Sequence, residues 1–330
     1  MTADEQAFLA AVRPAGIILF ARNIQSHDQI RRLVMDARSA IGSDDVLVAI
    51  DQEGGRVQRL RPPLGRALPP ASAYAAFNRE RPDAAGTAAY LAARLLADDL
   101  KDLGIDMNCA PVLDLPVAGA HEIIGDRAYG HDVAAVVALG GAVAEGLMDG
   151  GVVPVVKHIP GHGRALADSH LSLPVVTTSA DELERTDFAT FRALRDMPAA
   201  MTAHVVYTAF DADAPASTSR TVTERVIRGG IGFDGLLMSD DLGMKALAGP
   251  MRERAAAVIA AGSDLALHCS GVLAEMHEAA AGVPALAGAS LRRFEAALAV
   301  RSRRKDYERG AAEGALADVL SRHAASIESV

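Results

Sequence analysis

The sequence predicts an α/β fold, and within that class a single-domain (β/α)8 TIM-like barrel over residues 1–330. Short apolar runs alternate with longer stretches of helical periodicity, as expected for parallel strands joined by helices. Polar or charged residues follow nearly every apolar run, which places reactive groups at the strand ends. No Pro-, Ser- or Gly-rich tract divides the chain, so one domain is favoured over two.

The apolar runs predict seven strands, and the stretches between them predict helices. We expect strands at Gly16–Phe20, Val46–Asp51, Met107–Asp114, Val152–Lys157, Ala199–Val206, Gly235–Asp240 and Asp264–His268. We expect helices at His27–Ala40, Ala84–Leu103 and Val133–Met148, and amphipathic helices at Leu291–Ser326, with the segment from about 286 to 330 packed on the barrel.

The strand count falls one short of the eight that a (β/α)8 barrel contains. Residues 1–12 are predicted to form a helix, with Thr2 as its N-cap and Glu5 at the capping-box position. We therefore expect a barrel that lacks its first strand or is irregular there. Its neighbouring strands would then expose an edge, unless another segment replaces the missing strand.

The residues that follow the predicted strands are chemically active types. They are Arg22-Asn23, Asp51-Gln52-Glu53, Asp114, Lys157-His158, His204, Asp240-Asp241 and His268. In a barrel, the carboxyl ends of all strands meet on one face. An open doubly wound sheet would spread them along a line, and the sequence has no Gly-rich phosphate fingerprint of the kind that such folds often carry.

Composition and charge limit the partners of this chain. The net charge is −9 and the isoelectric point is near 5.6, with no run of Lys and Arg interleaved with aromatic residues. We therefore expect a small ligand, and neither a nucleic acid nor a membrane. Cys109 and Cys269 stand alone, as is typical of a reducing compartment. The acidic start Met1–Gln6 is unlike a secretory signal, so we expect a cytoplasmic location.

The segment 157–170 is dense in groups that carry acid–base chemistry. It contains Lys157-His158-Ile159-Pro160-Gly161-His162-Gly163 and, shortly after, Asp168-Ser169-His170. Proline and glycine prevent a continuous helix there, so we predict an irregular loop after a buried strand. Loops at strand ends are where α/β enzymes hold their reactive groups.

Asp168 and His170 are two residues apart, so in an extended loop their side chains project to the same side. The carboxylate would then hold the imidazole in one tautomer and raise its basicity, as a general acid/base requires. An Asx turn beside a solvent-exposed histidine is the alternative for these residues alone. The neighbouring Lys157, His158 and His162 favour the catalytic interpretation.

Asp240-Asp241 follows the apolar run Gly235–Ser239, so a carboxylate is predicted at the carboxyl end of a strand. Such a group can attack a carbon electrophile or bind a cation. An aspartate at a strand-to-helix junction also commonly caps the next helix. Both interpretations hold if Asp240 is the reactive residue and Asp241 is the cap.

The segment Asp51-Gln52-Glu53-Gly54-Gly55-Arg56-Val57-Gln58-Arg59 places hydrogen-bonding side chains beside two glycines, directly after a buried strand. The glycines allow the backbone to approach a ligand closely, and the fixed donors and acceptors suit a polyol. A surface loop of ion pairs explains the same composition. The sequence alone leaves both interpretations open.

A zinc site is the alternative interpretation of the histidine-rich segment. Imidazole and carboxylate are suitable zinc ligands, and the candidates are His158, His162, Asp168 and His170. The spacing supports zinc weakly, because Pro160 and the glycines break the helix that would place two histidines on one face. The ammonium of Lys157 would also repel a dication. We expect no metal and no cofactor.

The chain contains five motifs in order, namely Phe20-Ala21-Arg22-Asn23, Asp51–Arg59, Lys157–Gly163, Asp168-Ser169-His170 and Ser239-Asp240-Asp241-Leu242. Together they resemble, in this order, the bacterial β-N-acetylglucosaminidases of glycoside hydrolase family 3. The resemblance is strongest to the single-domain type that acts in peptidoglycan recycling. It covers roughly residues 10–270 and rests on five ordered motifs.

The resemblance implies roles for individual residues. Asp240 would be the nucleophile that forms a covalent glycosyl-enzyme, and His170, paired with Asp168, would be the acid/base. Sugar binding would fall to Asp51, Arg59, Arg127 within Gly125-Asp126-Arg127, Lys157 and His158. Two inversions at the anomeric carbon would give net retention.

The implied activity is a retaining exo-β-N-acetylglucosaminidase acting on GlcNAc-1,6-anhydroMurNAc and its peptides. The partner would be a small carbohydrate and the protein a monomer. A histidine with a pKa near neutrality can protonate the leaving group and then deprotonate water, and it adds no second negative charge beside Asp240. The family also implies that His170 lies on a mobile loop that closes over substrate.

Three other functions fit the same residues. A β-glucosidase or a glycoside phosphorylase would keep the fold, because a histidine acid/base admits an anionic acceptor such as phosphate. A barrel that only binds sugar is the third possibility, and the presence of both Asp240 and the Asp168/His170 pair disfavours it. One departure from the family concerns the fold, since its single-domain members carry a short strand ahead of the first helix and this chain begins after it.

Overall fold

The computed structural model describes residues 1–169 and 171–328. The described strands are β1 (Gly16–Leu19), β2 (Leu47–Ile50), β3 (Gln52–Gly54), β4 (Val57–Gln58), β5 (Met107–Asn108), β6 (Val153–Ile159), β7 (Val175–Val176), β8 (Ala199–Thr202), β9 (Val206–Tyr207), β10 (Leu236–Asp241) and β11 (Leu265–Leu267).

The described α-helices are α1 (Ala3–Val12), α2 (His27–Ile41), α3 (Ala71–Glu80), α4 (Pro82–Asp102), α5 (Val133–Asp149), α6 (Ala180–Arg185), α7 (Asp187–Ala193), α8 (Met251–Ala261), α9 (Leu273–Ala281), α10 (Gly288–Ala299) and α11 (Arg309–Glu328). A π-helix covers Val222–Ile231, and short 3-10 helices cover Ala21–Asn23, Gly125–Arg127 and Val300–Ser302. No helix within the described residues is both long enough and apolar enough to cross a membrane.

The chain divides into two compact units. The first comprises Met1–Val112, Asp126–Val155 and Leu298–Val330, and the second comprises Leu113–Gly125 and Val156–Ala297. The single catalytic domain expected over residues 1–330 stays a prediction.

The first unit contains a parallel sheet in the order β1-β2-β5-β6. Its register pairs Ile17 with Val48 and Ala49 with Met107. Every residue of β2 is buried, as expected for a parallel strand covered on both faces. Helix α4 packs against α5 and α11, and α11 also packs against α3.

The second unit contains the strand order β6-β8-β10-β11. Strands β8 and β10 pair in regular register, with Leu236 opposite Ala199. The pairing of β10 with β11 shifts between Met238 and Asp241. Such irregularities re-aim side chains and are frequent beside active sites. Here the shift lies at the predicted reactive aspartates.

The structure confirms the predicted α/β class and all seven predicted strands, with differences at their ends. Within the run Met107–Asp114, the regular strand covers only Met107–Asn108, although Cys109 still donates to the carbonyl of Ile50 and Leu113 to that of Lys157. The run Ala199–Val206 ends at Thr202, and Val206 begins β9, which pairs with β7. Helix α3 was not predicted, and α4 begins at Pro82, a residue suited to a first helical turn.

The predicted start of α1 is confirmed in detail. The Thr2 N–H donates to the Glu5 carboxylate at 2.6 Å, and the Glu5 N–H donates to Thr2 Oγ1 at 3.2 Å. Both bonds of the capping box are therefore present. Among the described strands, β1 hydrogen-bonds only to β2 and β11 only to β10, in agreement with an irregularity at the first strand.

Candidate active site

Lys157 and His158 lie near the carboxyl end of β6, and both side chains are buried. The chain then turns sharply at Gly161, whose φ is +140°. A Cβ on Gly161 would lie 2.9 Å from the Cβ of Asp187, and a Cβ on Gly163 would lie 2.1 Å from the carbonyl oxygen of Leu115. Glycine is therefore required for the close approach of this turn to its neighbours.

Asp114 organises this turn. Its Oδ1 accepts the backbone N–H groups of His158 at 3.1 Å and His162 at 2.7 Å, and its Oδ2 lies 2.6 Å from Nδ1 of His158. Burial opposes ionisation of Asp114, but attraction to His158 and the hydrogen bonds keep its pKa below the usual range. The fully buried Asp114 thus holds the His158 ring in one orientation.

His162 contacts the segment that follows this turn, at Ser169. Its Nε2 lies 3.1 Å from the Ser169 hydroxyl, and the carbonyl of the buried Ser169 accepts the N–H of Ala246 at 3.2 Å. Burial lowers the pKa of His162 to about 4, with a further contribution from His158, so the ring is neutral near pH 7. Nδ1 of His162 has no hydrogen-bond partner within the described residues.

The predicted acid/base pair is described only in part. Asp168 is half-buried and directly precedes the anchored Ser169. His170 lies outside the described residues. The predicted pairing of Asp168 with His170 therefore stays a prediction.

Asp240 lies at the end of β10, where the pairing with β11 shifts. Burial opposes its ionisation, but attraction to His158 and Lys157 and the N–H of Asp241, which donates to Oδ1 at 2.8 Å, hold its pKa below the usual range. Its side chain is half-buried, so an ionised carboxylate remains accessible. Such a group can attack an electrophilic carbon or stabilise a cationic transition state.

Asp241 is engaged by the protein. Its Oδ1 accepts the N–H groups of Gly243 at 2.9 Å and Cys269 at 3.0 Å. The interpretation of Asp241 as a helix cap is wrong, because the next helix, α8, begins only at Met251. The carboxylate instead closes the short turn at Gly243. It also connects the end of β10 to Cys269, which follows His268 after the end of β11.

In the first unit, Arg59 and Asp51 form an ion pair of 2.9 Å. The guanidinium groups of Arg59 and Arg22 lie 5.1 Å and 4.6 Å from the centre of the Phe20 ring. These distances are typical of cation–π contacts. Asp51, Arg59 and the Phe20 motif, separate in sequence, thus form one cluster.

Arg127 forms a second charged pair of the first unit, with Glu53. Two hydrogen bonds of 2.8 Å join the guanidinium to the two carboxylate oxygens, and both side chains are largely buried. This bidentate geometry fixes the plane of the guanidinium. Glu53 was not among the predicted site residues, although it lies in the Asp51–Arg59 motif, and its position two residues after Asp51 was the available signal.

The structure thus groups the predicted residues within each unit. Lys157 and His158 lie near Asp240 in the second unit, and Asp51 pairs with Arg59 in the first. Sequence reasoning assigned no role to Asp114, Glu53, Ser169 or His204. Within residues 1–169 and 171–328, no three His, Cys, Asp or Glu side chains are grouped so that they could hold a metal ion.

A family model for the N-terminal domain of glycosyl hydrolase family 3 matches residues 1–298. Curated relatives named beta-hexosaminidase include one from Alkalilimnicola ehrlichii, 41% identical over 274 residues, covering 82% of this chain and 78% of the relative. Another, from Thiobacillus denitrificans, is 40% identical over 271 residues, covering 81% and 74%.

Solved structures show the same relationship. NagZ from Neisseria gonorrhoeae, in complex with N-trifluoroacetyl-D-glucosamine, matches with a TM-score of 0.86 and 35% identity over 97% of this chain and 94% of its own. A family 3 β-N-acetylglucosaminidase from Paenibacillus sp. str. FPU-7 matches with a TM-score of 0.76 and 33% identity over 98% of this chain and 59% of its own. These matches confirm the TIM-like barrel class, and they establish that the chain belongs to glycoside hydrolase family 3 and is a glycoside hydrolase.

Proposed function

We propose that this protein is a retaining exo-β-N-acetylglucosaminidase that removes terminal β-linked GlcNAc from peptidoglycan fragments, namely GlcNAc-1,6-anhydroMurNAc and its peptides. Relatives named beta-hexosaminidase and the N-acylglucosamine complex of the gonococcal protein support the choice of sugar. The peptidoglycan fragment as substrate follows from the resemblance to the recycling enzymes.

The single observation that carries the proposal is the ionised, accessible Asp240 at the irregular end of β10. In the proposed first step, Asp240 attacks the anomeric carbon while the leaving oxygen takes a proton. A covalent glycosyl-aspartate results, and water then attacks it from the opposite face. The nearby ammonium group of Lys157 favours the ionised nucleophile before the reaction begins.

We assign the proton transfers to His170, oriented by Asp168. As an imidazolium it donates to the leaving oxygen, and as a neutral base it then accepts a proton from the attacking water. The described contacts that support this are those of Ser169, which anchor the chain between the two residues.

Sugar-binding roles are proposed for Lys157 and His158, and likewise for Asp51, Arg59 and Arg127. Asp114 fixes the ring of His158, and Glu53 fixes the guanidinium of Arg127. Rigid donors and acceptors of this kind suit hydroxyl and acetamido groups of a sugar.

The test is covalent trapping. The protein is incubated briefly with 5-fluoro-N-acetylglucosaminyl fluoride, whose intermediate breaks down slowly, and is then analysed by intact mass spectrometry and peptide mapping. We expect one sugar adduct on Asp240 and none in the isosteric variant Asp240→Asn. No adduct on the wild type, together with an untouched chromogenic N-acetylglucosaminide, would refute the proposal.

A second assay separates the alternatives on the same fold. Rates with chromogenic N-acetylglucosaminide and glucoside are compared with and without phosphate. We expect hydrolysis of the N-acetylglucosaminide that phosphate does not accelerate. A faster reaction with the glucoside would indicate a β-glucosidase, and a sugar phosphate product would indicate a phosphorylase.

Location and assembly complete the proposal. We propose a cytoplasmic protein, in keeping with a sequence that contains only two cysteines, Cys109 and Cys269, far apart along the chain. We propose a monomer, which light scattering during size-exclusion chromatography would check.

A further inference from the structure

His204 is a fully buried histidine between β8 and β9 to which the proposed mechanism assigns no role. Its Nε2 lies 3.0 Å from the backbone carbonyl oxygen of Asp241, and its Nδ1 lies 2.6 Å from the hydroxyl of Ser217. Ser217 is fully buried as well, so the contact between its hydroxyl and the imidazole is shielded from solvent. Both ring nitrogens therefore have defined partners.

The partners determine the tautomer of the ring. A carbonyl oxygen only accepts hydrogen bonds, so Nε2 must carry the proton that is donated to Asp241. In the neutral ring, Nδ1 then holds a lone pair and accepts from the Ser217 hydroxyl. Burial lowers the pKa of His204, which agrees with a neutral ring.

The backbone of Asp241 connects His204 to Asp240 through two hydrogen bonds. Its carbonyl accepts from His204, while its N–H donates to Oδ1 of Asp240 at 2.8 Å. Its own carboxylate accepts the N–H groups of Gly243 and Cys269. The backbone of Asp241 is thus held on one side by the imidazole, and on the other it holds the carboxylate of Asp240.

We propose that His204 is a positioning residue for Asp240, acting through the backbone of Asp241 as the tautomer protonated on Nε2, with its Nδ1 accepting a hydrogen bond from Ser217. This inference rests on the proposed function, because it concerns the attack of Asp240 on the sugar. The strand pairing is irregular at this point, so sheet hydrogen bonds alone do not fix the residue. The imidazole supplies the missing constraint.

The kinetic test compares two variants of similar size. His204→Leu removes the donor and fills the space, whereas His204→Gln places an amide N–H near the position of Nε2. We expect His204→Leu to lower kcat for chromogenic N-acetylglucosaminide about 10²-fold with little change in KM, as a misplacement near 1 Å would. His204→Gln should retain most of the wild-type kcat.

Trapping and matched controls separate positioning from folding. The rate of adduct formation with the 5-fluoro fluoride should fall with kcat in His204→Leu, and Ser217→Ala should show a smaller loss. Thr202→Val removes an equally buried hydroxyl that has no partner among the described residues. We expect it to leave kcat unchanged, and thermal melting of every variant corrects for the folded fraction.

The tautomer is measured independently of turnover. In the wild-type protein, imidazole 15N chemical shifts should show a protonated Nε2 and an unprotonated Nδ1 for His204 at neutral pH. A proton on Nδ1 would overturn the inference, as would equal losses in the Leu and Gln variants or an unimpaired His204→Leu variant of an active enzyme. A wild type that turns over no N-acetylglucosaminide would instead overturn the proposed function, and the role of His204 with it.

Discussion

At the scale of single residues, the charge of Asp240 is the property on which the proposed chemistry depends. We expect Asp240→Ala to lower kcat by at least about 10³-fold, since it removes the nucleophile itself. Binding of free N-acetylglucosamine, measured by calorimetry, should persist because the proposed sugar-binding residues are intact. Loss of binding together with turnover would place Asp240 in recognition instead of attack.

The acid/base assignment of His170 predicts a dependence on the leaving group. His170→Ala should slow substrates with poor leaving groups far more than activated aryl glycosides, because activated leaving groups depart with little protonation. A series of aryl N-acetylglucosaminides of graded leaving-group pKa measures this. Equal losses across the series would remove His170 from the acid role.

The buried ring of His162 predicts a pH dependence of stability. Its pKa is lowered from 6.5 to about 4 in the folded protein. Between these values the unfolded chain binds a proton that the folded protein does not, so the free energy of unfolding decreases as the pH falls from 6.5 towards 4. The contribution is on the order of 3 kcal/mol.

Urea unfolding of the wild type and of His162→Gln, at several pH values, checks this expectation. Glutamine can still donate to Ser169 but does not titrate. The wild type should lose more stability than the variant over this pH range. Parallel profiles for the two proteins would show that His162 is not the titrating group.

At the scale of elements, the capping box of α1 gives a local prediction. Thr2→Ala should cost the helix about 1 kcal/mol, because the N–H of Glu5 loses its acceptor. Faster amide exchange in the first turn of α1 would report the loss. Thr2→Ser, which keeps the hydroxyl, is the control, and identical exchange in the two variants would count against the cap.

The elements show what sequence patterns can and cannot predict. Apolar runs between turn signals predicted all seven strands of the parallel sheet, because burial on both faces leaves a composition signal. Their ends were less accurate. The regular strand that begins at Met107 ends at Asn108, well before the predicted Asp114, and Asp241 closes a turn where a helix cap was expected.

The site was predictable where its residues are close in sequence. The Lys157–Gly163 motif and Asp240-Asp241 stand out as dense polar segments. The sequence did not predict that Asp114 orients His158, because the two residues are 44 positions apart. It did not predict the contact of His204 with Asp241 either, because these residues are 37 positions apart. Such pairings depend on how strands are brought together, which local patterns do not encode.

At the scale of the whole molecule, the first and last strands of the parallel order are the expected weak points. Strands β1 and β11 each have one hydrogen-bonded neighbour among the described strands. We therefore expect their amides to exchange faster than those of β2 and β10, which have two. A hydrogen-exchange map that shows uniform protection from β1 to β11 would contradict this and would indicate that another segment covers these edges.

The cluster of Arg22 and Arg59 on the Phe20 ring has a practical consequence. The chain contains no tryptophan. A Phe20→Trp variant would therefore carry a single indole fluorophore beside Arg59, whose ion pair with Asp51 is proposed to meet the sugar. Its emission, free of background from other indoles, would follow occupation of this cluster in a stopped-flow instrument, even in an Asp240→Ala background where no product forms.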